Sequence, residues 1–201
     1  DLMMHMPTVR SGYSDGQYSF SYIFSYIKDY ISAADYAVVN LETTLSGTDK
    51  KEYTGYPKFN SPDAVASGAA GAGFDLMLTG NNHCYDYGTA GLLRTLDVIR
   101  AAGMDTLGTY SSKDDPQYLV REFGGIKFGM LNYTFAKIGS DPDLPTVGGL
   151  AANVDAAGLI NAFDYSQPEL FYTEIRNQID AMRAAGSEVI VLFIHWGDEY
   201  T

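Results

Sequence analysis

Three stretches of the chain set side chains that can bind a metal ion or move a proton directly after a run of apolar residues. Val38-Val39 leads into Asn40-Leu41-Glu42. Leu76-Met77-Leu78 leads into Asn81-Asn82-His83-Cys84-Tyr85-Asp86. Val189 to Ile194 leads into His195-Trp196-Gly197-Asp198-Glu199. Each apolar run reads as a buried strand, and in open α/β sheets ligands bind beyond the carboxyl ends of strands. The pattern therefore predicts three strand ends delivering Asn, Glu, His and Asp to one rim. Those are the N and O donors of a divalent metal site. Asp1 with His5 is a fourth candidate segment, with no visible strand before it.

All three histidines of the chain, His5, His83 and His195, lie in these segments. Imidazole both ligates metals and carries protons near neutral pH. One histidine near a strand end is more often a hydrogen-bonded structural residue. Three of them, accompanied by Glu42 and Asp86, weigh toward a metal or catalytic rim.

Other motifs weigh less. Gly68-Ala-Ala-Gly-Ala-Gly73 ends a helix and precedes a strand, the wrong order for a dinucleotide fingerprint, so close packing is the simpler reading. Asn132-Tyr-Thr134 is a formal glycosylation sequon inside an expected strand. Asp141-Pro-Asp143 lacks the ligand spacing of a calcium loop. Cys84 beside His83 reads as a small buried residue rather than a thiol nucleophile. Thr48 to Glu52 reads as a solvated turn, and the sixteen scattered tyrosines as packing residues.

The elements that must position these residues are legible in outline. An amphipathic helix is expected over about residues 20 to 33, before the strand Tyr36 to Asn40. Ser61-Pro62-Asp63 reads as a helix start with Ser61 as its N-cap, and Gly71 and Gly73 as its end. The strand Phe74 to Thr79 follows. Thr89 to Ala102 carries Leu92, Leu93, Leu96 and Ile99 on one face, with Gly103 as its stop. Tyr118 to Phe123 and Ile126 to Tyr133 read as strands joined through Gly124-Gly125, a two-residue hairpin. Residues 139 to 165 read as an irregular excursion. A helix from Pro168 to Ala185, stopped at Gly186, leads into the strand Glu188 to Trp196. Alternating strands and helices with one inserted hairpin predict an α/β sheet fold in a single domain.

Composition bounds the partners. The chain has 201 residues, with 13 Lys plus Arg against 25 Asp plus Glu, for a formal net charge of −12. Nucleic acid and anionic membrane surfaces demand a positive footprint and are disfavoured as main partners. An anionic substrate is compatible with this balance, because a bound metal ion can be the largest local charge in a site. Hydrophobic residues at 46% and charged residues at 19% describe a folded chain. A single cysteine allows no internal disulfide, and no apolar run is long enough to span a bilayer.

The motifs quoted above carry a resemblance. Together with Asn40-Leu-Glu-Thr-Thr44, Tyr56-Pro-Lys-Phe-Asn60, Asn81-Asn-His-Cys-Tyr-Asp-Tyr-Gly88, Gly91-Leu-Leu-Arg-Thr-Leu-Asp97 and His195-Trp-Gly-Asp-Glu-Tyr200, the opening Asp1-Leu-Met-Met-His5 resembles the CapA family. These are bacterial poly-γ-glutamate capsule biosynthesis proteins related to calcineurin-like metallophosphoesterases. The resemblance implies a four-layer α/β/β/α sandwich, metallophosphatase-like, over residues 1–201 as one domain truncated at both ends. The family's opening glycine and strand would precede Asp1, and a Gly-His-x-Pro-His type motif would follow Thr201.

Carried over by position, the resemblance makes Asp1, His5, Glu42, Asn82 and His195 metal ligands, with Glu42 a bridging carboxylate. It makes His83 and Asp86 catalytic, His83 lying near the leaving group, and sets Asn40, Trp196 and Glu199 on the rim. The implied cofactor is a divalent metal, two ions in the longer protein, of Mn, Zn, Fe or Mg. Implied partners are an anionic polymer or a small phosphoester and other capsule-synthesis membrane proteins, with no nucleic acid. The implied location is the extracellular face of the membrane or cell surface, by an N-terminal anchor outside this chain. Three readings stay open: a capsule protein acting in polymer synthesis, export or tethering; a metal-dependent hydrolase of a phosphoester or polyglutamate amide; and a non-catalytic scaffold.

Overall fold

The structure is a computed structural model that describes residues 1–49, 52–137, 146–148, 150–151, 156 and 158–197. The chain forms two units, residues 1–79 with 83–106 and residues 80–82 with 107–201.

The first unit opens with helix α1 (Met6–Ser11) and an antiparallel hairpin of β1 (Tyr13–Ser14) and β2 (Gln17–Tyr18). The helix expected over residues 20 to 33 is broken into a 3-10 turn, Ser21–Phe24, and the short α2 (Lys28–Ser32). Phe20 and Phe24 turn into the core while Tyr26 and Tyr30 face solvent. Ser25 Oγ donates to the Tyr22 carbonyl at 2.8 Å, a local bond that competes with helix continuation.

β3 (Val38–Asn40), α3 (Ala64–Ala72), β4 (Leu76–Leu78), α4 (Gly88–Ala101) and β5 (Asp105–Leu107) follow. The sheet order is β3-β4-β5. β3 and β4 are parallel, Val38 opposite Leu76 and Asn40 opposite Leu78, so a crossover is required and α3 supplies it. Ser61 does not cap α3. The N-cap position is Asp63, and Ser61 Oγ instead pairs with Thr43 Oγ1 at 2.8 Å. Gly73 ends α3 in the left-handed region at φ 104°, a conformation glycine adopts without a Cβ penalty. Gly68 lets α3 approach the Phe20 backbone, where a Cβ would sit 3.2 Å from the carbonyl carbon. The glycine cluster thus serves close packing. Met4, Phe20, Leu41, Leu45, Val65, Met77 and Ile99 form the core of this unit.

In the second unit β6 (Leu119–Phe123) and β7 (Ile126–Phe135) form the expected hairpin. Gly124 and Gly125 take φ of 59° and 75°, as the tight turn requires. β8 (Thr146–Val147) and β9 (Leu150–Ala151) make a small antiparallel pair, within the stretch expected to be irregular; much of that stretch lies outside the described residues. β10 (Ala162–Phe163) and β11 (Val189–His195) both pair with β7 in parallel. Between them runs α5 (Pro168–Ala184). It settles onto β7 at Gly129, where a Cβ would lie 2.6 Å from Met182 Sδ. Leu131, Tyr133, Phe163 and Met182 form this unit's core.

The fold class is α/β, with parallel and antiparallel pairing and helices between parallel strands, consistent with a metallophosphatase-like fold. The three strands belong to two sheets: β3 and β4 to the three-stranded sheet, and β11, paired with β7, to the four-stranded one. The long register of β11 on β7, from Val189 opposite Phe128 to His195 opposite Thr134, commits it there. Among the described residues no helix is long and apolar enough to cross a membrane.

Candidate functional site

In the first unit the amino-terminal residues lie alongside the end of β3. The Leu2 amide donates to the Asn40 carbonyl at 2.8 Å, and the Glu42 amide donates to the Leu2 carbonyl at 3.1 Å. This pairing brings Asp1 to Asn40, whose Nδ2 donates to Asp1 Oδ1 at 2.8 Å and to Glu42 Oε2 at 3.5 Å. Carboxylate oxygens of Asp1 and Glu42 lie within 4.8 Å of each other. Asp1 is exposed and Glu42 buried. Two carboxylates at this separation repel, and a divalent cation would offset that repulsion while taking oxygen donors from both.

The loop that carries Glu42 is rigidly held, residues 41–47 all being buried. Thr95 Oγ1 accepts the Leu45 amide at 2.8 Å. Asn60 Oδ1 accepts the Ser46 amide at 2.8 Å, and its Nδ2 donates to the Gly47 carbonyl at 2.9 Å. Arg94 donates to the Leu45 carbonyl and forms a two-pronged pair with Asp63 at 2.7 and 2.8 Å. The guanidinium pKa is pushed up by that pair.

A second cluster in this unit is built on Asp86. Its Oδ2 accepts the Phe59 amide at 2.6 Å and the His83 Nδ1–H at 2.8 Å. The Asp86 side chain is 2% exposed and that of His83 12%. A carboxylate on Nδ1 fixes the ring's tautomer and direction. Phe59, fully buried, meets the His83 ring at 4.6 Å and the His5 ring at 5.1 Å, both edge to face.

In the second unit Asn132, on β7, holds the segment that leads to Asn82. Its Oδ1 accepts the Gly80 amide at 2.7 Å and its Nδ2 donates to the Gly80 carbonyl at 3.3 Å. Gly108 crosses the same point at φ 105°, where a Cβ would fall 2.1 Å from Asn132 Oδ1. At the end of β11, His195 Nε2 and Asn82 Oδ1 are 3.0 Å apart. With the amide oxygen as acceptor the ring nitrogen is protonated. To serve as a metal donor it must give up that proton, the ring passing to its other tautomer.

Asp1, Asn40 and Glu42 are thus brought together, as are His83 with Asp86 and Asn82 with His195. His5 is not part of the Asp1–Glu42 group; its exposed ring lies against Phe59. Trp196 is 65% exposed beyond β11. Glu199 lies outside the described residues. Sequence reasoning missed Phe59, Arg94 and Asn132. A polar Asn inside an otherwise apolar strand was the available signal for Asn132, since a buried amide needs partners. Its burial also shows the sequon to be structural, with Asn132 2% exposed and Thr134 fully buried.

Residues 1–201 match the family of bacterial capsule synthesis protein PGA_cap. The chain belongs to this family. It is 24% identical over 188 residues to the capsule biosynthesis protein CapA of Bacillus anthracis, covering 92% of this chain and 42% of that protein. It is 26% identical over 129 residues to the PGA biosynthesis protein CapA of Bacillus subtilis strain 168, covering 63% of this chain and 29% of that protein. The chain thus spans less than half the length of these relatives. The PGA_cap match runs through all of the clusters described above, and the Asp1–Asn40–Glu42 arrangement has the donor chemistry a divalent metal takes.

Proposed function

We propose that this PGA_cap domain acts in bacterial capsule formation, in the synthesis, export or tethering of a poly-γ-glutamate polymer at the cell surface, and that it does so with a bound divalent metal. The Asp1–Asn40–Glu42 cluster carries the metal part of this reading, and the relatives' capsule names carry the biological part. Asp1 and Glu42 are its carboxylate donors. The ion is Mn, Zn, Fe or Mg, and the reading is of two ions. Such an ion polarises an oxygen of an anionic substrate and activates water. The polymer's carboxylates are the ligand chemistry this suits. Other capsule-synthesis membrane proteins are the partners a surface role requires, with the domain at the extracellular face, and nucleic acid is not among them.

The oriented His83–Asp86 pair favours a second reading, hydrolysis of a phosphoester or of a polyglutamate amide. Asp86 positions the ring. With the ring also protonated at Nε2, as imidazolium, His83 would hand that proton to the departing oxygen or nitrogen as water attacks the phosphorus or carbon and the bond breaks.

Metal content of the purified full-length protein, together with capsule restoration in a strain lacking it, tests the proposal. Near-stoichiometric metal and a restored capsule, both lost in Glu42→Ala, are expected. A Glu42→Ala protein that keeps its metal refutes the metal assignment. Hydrolysis of p-nitrophenyl phosphate that collapses on His83→Ala would establish the second reading.

A further inference from the structure

Phe59 joins the Glu42 loop to the Asp86 cluster. Its carbonyl accepts the Thr44 amide at 3.2 Å and the Thr44 hydroxyl at 2.7 Å, two positions beyond Glu42. Its amide donates to Asp86 Oδ2 at 2.6 Å, and its ring meets that of His83 at 4.6 Å. The next two residues fasten the Glu42 loop again. Asn60 holds the Ser46 amide and the Gly47 carbonyl, and the Ser61 amide donates to the Thr44 carbonyl at 2.9 Å. Asn60 also exchanges backbone bonds with Thr54 at 3.0 and 3.1 Å.

Thr44, Phe59, Asn60 and Ser61 are each 0% exposed. Among buried groups no water stands by to replace a lost partner, so displacing one group disturbs those bonded to it. Thr44 Oγ1 is committed on both counts: it donates to the Phe59 carbonyl and accepts the Ser46 hydroxyl at 2.9 Å. The Asp86 oxygen that takes the Phe59 amide also takes His83 Nδ1. A continuous run of contacts therefore leads from Thr44, through the Phe59 backbone and Asp86, to the His83 ring.

We infer that Thr44 and Phe59 are positioning residues, through which the backbone after Glu42 and the His83–Asp86 pair hold one fixed relation. They act without touching metal or substrate. Metal ligands and proton donors work only where supporting contacts hold them within about 0.5 Å of the productive geometry. Here one residue, Phe59, supports both, so a change in the Glu42 loop is felt at the His83 ring. The use of this link rests on the metal and acid–base readings above, while the link itself is read at His83 with or without an ion.

Thr44→Val tests it in the full-length protein, keeping the branched shape and removing the hydroxyl; Thr44→Ser returns the hydroxyl. Nitrogen NMR of the imidazole reads one end, the His83 signals being assigned by their loss in His83→Ala. Titration calorimetry with Mn²⁺ and Zn²⁺ reads the other. Thr44→Val is expected to shift the His83 signals and to weaken metal binding about tenfold, the lower end of what losing a supporting contact costs a metal site. Thr44→Ser is expected to restore both. A lower melting temperature with wild-type His83 signals overturns the link, because a merely structural hydroxyl gives that result. Weaker metal binding with unmoved His83 signals overturns it too. Should Thr44→Val fail to fold, Ser61→Ala carries the same expectations and the same refutations, since it removes only the hydroxyl paired with Thr43 Oγ1 at 2.8 Å. A wild type that binds neither ion refutes the metal reading, and the His83 signals alone then decide the link.

Discussion

Asn132 holds both backbone polar groups of Gly80, accepting its amide at 2.7 Å and donating to its carbonyl at 3.3 Å. The same amide nitrogen is 3.4 Å from the Phe193 carbonyl on β11. One side chain thus ties the start of the Gly80–Asn82 segment to the strand that ends in His195. Asn132→Ala leaves a buried backbone donor and acceptor without partners, at a cost of about 1–3 kcal/mol. Urea denaturation should show that loss, and the His195 ring resonances should shift because the Asn82 contact loosens. Unchanged stability would show that water replaces the side chain.

Glu42 offers the sharper test of ligand chemistry. Glu42→Gln keeps size and one oxygen donor but removes the charge, whereas Glu42→Ala removes both. Divalent metal affinity is expected to fall at least about tenfold in the amide variant and further in the alanine variant. Titration calorimetry checks the order. Equal affinities in parent and both variants would remove Glu42 from the ligand set.

Asp86 meets both donors with one charged oxygen. Asp86→Asn keeps an acceptor oxygen but removes the charge that strengthens the bonds from the Phe59 amide and His83 Nδ1. A loss of about 1–3 kcal/mol is expected, together with a mixed His83 tautomer in nitrogen NMR. A single Nδ1–H tautomer in the variant would show that Phe59 packing alone orients the ring.

How much of this was legible in the sequence follows from where the determining interactions lie. Glycine turns and long periodic helices are local, so α4, α5 and the Gly124-Gly125 hairpin stand within a residue or two of expectation. The broken helix after Phe20 was not, because Ser25 and the burial of Phe20 and Phe24 override a periodic pattern. The donors themselves were visible as polar residues after apolar runs. Their grouping was not, since Asn40 joins Asp1 to Glu42 through a bridge between Leu2 and Leu41 that no spacing announces. Assigning β11 to a different sheet from β3 and β4 likewise depends on long-range pairing. Arg94 and Asn132 act on backbone groups 49 and 52 positions away, beyond the reach of any local pattern.

Glu174 sets a pH dependence in the second unit. Burial raises its carboxyl above the ordinary range, opposed in part by the Tyr133 hydroxyl, which donates to it at 2.8 Å. The folded state therefore holds this proton more tightly than the unfolded chain. Its contribution to stability is full below the ordinary carboxylate pKa of about 4.3 and is lost as pH rises through the raised value. Glu174→Gln keeps an acceptor for Tyr133 and removes the titration. The variant is expected to melt higher than the parent at pH 7, with the difference closing near pH 4. Parallel melting curves across that range would show that burial exacts nothing from Glu174.

Cys84 is the chain's only thiol, and it is 7% exposed. The surface is therefore silent toward maleimides, and any cysteine placed on it becomes a unique address. A fluorophore attached through Tyr56→Cys would sit on the exposed loop before Phe59, and one through Trp196→Cys just past the end of β11. Two labelled proteins would then watch two places on the molecule separately, with no background to subtract.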